Sequence, residues 1–86
     1  MRLAVVTGAS AGIGAATAAA FLADGWRVTN VSRRPCPVAG VDSLACDFAD
    51  PEAVATAAAA LAEASAAAER VVLVHNASLL RNDTAD

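Results

Sequence analysis

Eighty-six residues with a mass of 8.5 kDa make at most one small domain. Apolar residues account for 57% of the chain, yet 25 of them are alanine, so the core is thin. Six arginines against nine acids leave a net charge of −3, and two Phe, one Trp and no Tyr offer few rings for base stacking, which argues against a nucleic-acid partner.

The chain opens with Arg2-Leu3-Ala4-Val5-Val6, a short apolar run that breaks off at Thr7-Gly8, as a buried parallel strand does. That run is shorter than the roughly 7–15 apolar residues of a secretory signal. No run approaches the roughly 20 residues that cross a bilayer, so the expectation is a cytoplasmic protein without a membrane segment. Over residues 13–24 the side chains of Ile13, Thr17, Ala20 and Phe21 recur on one helical face, and Gly25 follows as a stop. Residues 26–31 resume strand composition. Residues 32–42 are broken by Pro35, Pro37 and Gly40 into an irregular link. Cys36 and Cys46 have no second Cys or His pair nearby, so neither a metal site nor a disulfide framework is expected.

Residues 44–48 read as a brief third strand. Asp50-Pro51-Glu52 then marks a helix start with an N-cap, a proline suited to the first position and a carboxylate favourable to the dipole. Alanine-rich composition extends that helix over 51–68, with Val54, Ala58, Leu61 and Ala68 on one face. Residues 71–74 form a fourth strand, and residues 75–78 the loop at its carboxyl end; the last eight residues show no element. The β-α-β-β-α-β order predicts an α/β fold, the N-terminal half of a doubly wound, Rossmann-type parallel sheet of strand order 3-2-1-4. In such sheets ligands bind beyond the carboxyl ends of the strands, where strand order reverses.

Thr7-Gly8-Ala9-Ser10-Ala11-Gly12-Ile13-Gly14 lies on that edge, between the first strand and the first helix. Gly8 suits a tight turn, Gly12 lets phosphates approach the backbone, and Gly14 lets the helix pack closely on the strand. The reading is a pyrophosphate cradle, with a merely flexible turn as the alternative. No Lys-Ser/Thr pair follows the glycines, so it is not a P-loop. The second strand ends in Ser32-Arg33-Arg34, and no carboxylate lies between Asp24 and Asp42. Arginine holds a 2′-phosphate through charge-assisted hydrogen bonds, which favours NADP over NAD, with Arg33 ahead of Arg34. Two solvated loop arginines are the alternative.

Together Thr7-Gly8-x-x-x-Gly12-Ile13-Gly14, Cys46-Asp47-Phe48 and His75-Asn76-Ala77-Ser78 resemble the short-chain dehydrogenase/reductases, in order and spacing over residues 3–78. The resemblance implies that the glycine motif, with Ser10 and Ile13, binds the cofactor pyrophosphate. It implies that Asp47 meets the adenine with the Phe48 backbone beside it. Asn76 and Ala77 keep part of the segment that steadies the sheet and lines the nicotinamide-side ribose. Three positions depart: Ala11 stands where many NADP-preferring members carry a basic residue, Ser78 replaces a glycine, and His75 replaces an asparagine and is given no chemistry.

The family's Ser, Tyr and Lys carry proton transfer, the Lys lowering the Tyr pKa. This chain has neither Tyr nor Lys, so no catalytic residue is assigned within it. The expected function is therefore the N-terminal NADP(H)-binding part, residues 1–86, of an oxidoreductase that moves hydride between NADP(H) and a small carbonyl or alcohol substrate, as a homo-oligomer when full-length. A non-catalytic dinucleotide-binding module and an inactive truncated product are the alternatives. The fourth strand should lie at an apolar sheet edge, which makes the isolated chain marginal or self-associating.

Overall fold

The computed structural model describes residues 1–76. Six elements follow in the expected order: β1 (Arg2–Thr7), α1 (Gly12–Ala23), β2 (Arg27–Ser32), β3 (Asp42–Ala45), α2 (Pro51–Ala66) and β4 (Arg70–His75). The four strands form one parallel sheet in the order β3-β2-β1-β4. Ala77, Ser78 and the residues after them lie outside the described residues.

β1 is central, and its alternating side chains feed two cores, as expected of a strand covered on both faces. Ala4 and Val6 join Ala9, Ala18, Trp26 and Val28 in the core that holds Phe21 and Leu22 of α1. Leu3 and Val5 join Val31, Cys46 and Ala57 in the second core, where Ala53, Leu61, Ala64 and Ala68 pack. Each fully buried Val or Leu contributes roughly 1.5–3 kcal/mol.

Both helices are rotated from the expected faces: Phe21, Leu61 and Ala68 pack inward as expected, whereas Ile13 and Val54 do not. In α1 the buried residues are Gly14 and Ala18, while Ile13 is 79% exposed. α1 turns Gly14 toward the end of β1, where even a Cβ would collide with the Gly8 carbonyl. α2 turns Ala57 inward, with Ala53, Leu61 and Ala64, and leaves Val54 exposed. Its start matches the sequence signal, because the Asp50 carboxylate accepts the Glu52 N–H at 3.0 Å and Pro51 occupies the first turn. The helix ends at Ala66, two residues earlier than expected.

Strand boundaries also shift. Trp26 precedes β2 rather than opening it, held edge-on to Phe21 at 5.2 Å with the Arg2 guanidinium 4.7 Å over its ring. β3 runs over Asp42–Ala45 instead of 44–48, with Val31 paired to Leu44. Cys46 donates one more bond to the Ser32 carbonyl at 2.9 Å, and then Asp47 turns the chain, its carboxylate accepting the Ala49 N–H at 3.0 Å. β4 takes in His75, paired with Thr7, which sequence reading puts in the loop.

Candidate functional site

Strand order reverses at β1, since β2 and β3 lie on one side of it and β4 on the other. The carboxyl ends of β1, β2 and β4 therefore share one edge of the sheet. Gly8, at φ +72°, makes the first turn, and its N–H bonds back to the Val31 carbonyl at 3.0 Å. Gly12, at φ +59°, opens α1, and a Cβ on it would meet nothing within 4 Å. The residue before it, Ala11, is extended and offers no side-chain cap, and the first turn of α1 has no acid. The start of α1 is thus exposed and uncapped, whereas α2 has the Asp50 cap and Glu52 in its first turn.

Gly14 fixes how closely the pieces meet. A Cβ there would collide with the Gly8 carbonyl oxygen and stand 2.7 Å from Asn76 Nδ2. Asn76 donates through Nδ2 to the Gly8 carbonyl at 3.2 Å, and its N–H donates to the Thr7 hydroxyl at 2.9 Å. The Thr7 hydroxyl also lies 3.4 Å from His75 Nδ1, so the end of β4 is tied to the end of β1 through side chains. Asn76 is thereby drawn into the glycine turn; its neighbour Ala77 lies outside the described residues.

Sequence reading passed over Asn30. Its side chain is 0% exposed and makes four contacts: Oδ1 accepts the Ala9 N–H at 2.9 Å, and Nδ2 lies 3.0 Å from Ser32 Oγ, 3.1 Å from the Arg34 carbonyl and 3.2 Å from Ser43 Oγ. The amide orientation is fixed by chemistry, because a backbone N–H only donates and a carbonyl only accepts. The one local signal was an Asn between Val28 and Val31 in a strand of a parallel sheet, where an amide that is buried demands partners.

Ser32 turns inward, buried, its hydroxyl donating to the Arg34 carbonyl. Arg33 and Arg34 are exposed, and among the described residues neither guanidinium has an ion pair. Ser10 is half-buried in the glycine turn. Asp47 and Phe48 follow β3 on the same sheet edge, two strands across from β1; Asp47 is exposed, and Phe48 packs into the second core. Among the described residues no group of three His, Cys, Asp or Glu could hold a metal, and no helix is long and apolar enough to cross a membrane.

Fold and site define a Rossmann-type α/β unit whose glycine turn lies where strand order reverses. The family model described as short chain dehydrogenase matches residues 2–86. Ligand-free aldohexose dehydrogenase from Thermoplasma acidophilum is 32% identical with a TM-score of 0.76, covering 90% of this chain and 29% of its own. A short-chain dehydrogenase/reductase from Burkholderia vietnamiensis is 30% identical with a TM-score of 0.83, covering 94% of this chain and 43% of its own. No curated protein matches. The chain belongs to the short-chain dehydrogenase family, whose members are oxidoreductases that typically bind a nicotinamide dinucleotide. It spans less than half the length of either solved relative.

Proposed function

We propose that this chain is the N-terminal NADP(H)-binding part of an oxidoreductase that moves hydride between the cofactor and a small carbonyl or alcohol substrate. One observation carries the reading: α1 starts at Gly12 without a side-chain cap, and a Cβ on Gly12 would point into open space. The N–H groups there would hold the pyrophosphate, with Gly8, Ser10, Ile13 and Gly14 around it. Asn76 and Ala77 would line the nicotinamide-side ribose, and Asp47 with the Phe48 backbone would meet the adenine. Exposed Arg33 and Arg34, free of ion pairs among the described residues, support a 2′-phosphate and so NADP over NAD, with Ser32 shaping their turn.

When bound, the nicotinamide supplies the hydride chemistry, and these residues supply binding and orientation. Neither Tyr nor Lys occurs in residues 1–86, so proton transfer is assigned to none of them. The intact protein would work in the cytoplasm as a homo-oligomer. Titrating it with NADPH and with NADH tests the reading, and NADPH should bind at least about tenfold more tightly, a preference that Arg33→Ala erases. Equal affinities overturn the NADP assignment, and binding of neither overturns the whole reading. The second reading is a module that binds the dinucleotide without turnover. Carbonyl-dependent oxidation of NADPH by the intact protein separates the two.

A further inference from the structure

Asn30 is a fully buried polar residue in a strand whose neighbours Val28 and Val31 are buried apolar residues. Burying an amide costs stability unless each of its polar atoms finds a partner. Here the partners belong to three separate pieces of the sheet edge: Ala9 in the glycine turn, Arg34 in the turn after β2, and Ser43 in β3. Two Nδ2 hydrogens face three acceptors, so the donation to Ser32, Arg34 and Ser43 is shared. Ser43 extends the link, because its hydroxyl also accepts the Cys36 N–H at 2.9 Å. The Arg33-Arg34 turn is therefore gripped at Arg34 by Asn30 and Ser32, and at Cys36 by Ser43.

We infer that Asn30 is a positioning residue for cofactor choice: its carboxamide fixes the arginine turn relative to the glycine turn, so that 2′-phosphate and pyrophosphate are recognised at one set spacing. This rests on the dinucleotide reading above. Asn30 itself is fully buried and touches no cofactor; it acts through the Arg34 carbonyl and the Ala9 N–H. The two links have separable consequences. Loss of the Ala9 link loosens the pyrophosphate turn, which NADPH and NADH share. Loss of the Arg34 and Ser43 links frees the arginine turn, which only NADPH uses. A group held in place by the fold spends no ordering entropy on binding, so freeing it weakens the ligand that needs it.

The test measures dissociation constants of NADPH and NADH, by fluorescence titration, for the intact protein and for Asn30→Leu and Ser43→Ala. Thermal unfolding of each variant is recorded alongside. Ser43→Ala changes an exposed residue, so it provides a folded variant even where Asn30→Leu does not fold. In Ser43→Ala the NADPH affinity should fall about fivefold, the equivalent of one neutral hydrogen bond, with NADH affinity unchanged. In a folded Asn30→Leu both affinities should fall, NADPH by about fivefold more than NADH. A merely structural Asn30 would lower the unfolding temperature and leave the NADPH-to-NADH ratio as it was; an unchanged ratio in Ser43→Ala overturns the inference. Failure of the unsubstituted protein to bind either dinucleotide instead overturns the reading beneath it.

Discussion

A methyl group at position 14 would stand 2.7 Å from Asn76 Nδ2 and against the Gly8 carbonyl, two groups that are bonded to each other at 3.2 Å. Gly14→Ala must therefore push α1 away from β1 and break the tie to β4. Overpacking of this kind costs about 1–3 kcal/mol, which a urea unfolding curve will read as a lowered midpoint. Gly12→Ala acts differently, since its Cβ meets no atom of the protein. The φ of +59° makes it cost about 1–2 kcal/mol, but its methyl enters the space kept open before the helix. Titration with NADPH should show affinity lost in both variants, and in Gly12→Ala by more than the stability change explains. The glycine requirement was legible in the sequence because it is local, a strand end meeting a helix start within eight residues. Asn30 was not, because its partners Ala9, Arg34 and Ser43 lie 21, 4 and 13 positions away and only the folded sheet assembles them.

At the scale of elements, the two helices begin in opposite ways. Asp50 caps α2 through the Glu52 N–H, so Asp50→Ala should destabilise by about 1 kcal/mol, seen as a lower midpoint in thermal unfolding. α1 lacks such a cap, and Ala11 already has the extended backbone that a capping residue needs. Ala11→Asp should accordingly stabilise the protein by about 0.5–1 kcal/mol while abolishing NADPH binding, because its carboxylate would occupy the N–H groups and repel the pyrophosphate. Opposite signs in calorimetry and in titration mark a helix end left open for a ligand; a stabilised variant that still binds NADPH normally contradicts it. The start of α2 could be read from Asp50-Pro51-Glu52, yet its buried face could not. Alanines fill that helix on all sides, so Ala53 and Ala57 differ from Ala58 only in what they touch.

For the molecule as a whole, coverage of the sheet is uneven. Register sets Val71 beside Leu3 and Leu73 beside Val5, so all four share the face on which α2 packs. α2 covers Leu3 and Val5 but leaves Val71 44% and Leu73 64% exposed on the edge strand β4. An apolar edge with unpaired backbone groups is a template for another strand. Residues 1–86 prepared alone should associate with rising concentration in sedimentation velocity, and Leu73→Lys should shift them toward the monomer; a monomeric, cooperatively unfolding sample would refute this. The surface pair of Arg27 and Asp42 at 3.3 Å contributes little to the balance, well under about 1 kcal/mol, so Arg27→Ala should leave the unfolding midpoint nearly unchanged.

From the sequence alone came the number, order and type of elements, the parallel sheet, the glycine turn and the resemblance that the family match bears out, all set by patterns that repeat over a few residues. Tertiary structure decided which helix faces are buried, where Trp26 packs, and how Asn30 ties two turns and β3 together. The division has one physical cause. Periodicity and turn chemistry are written into neighbouring residues, whereas close approach and polar satisfaction depend on atoms that meet only when distant segments of the chain fold onto one another.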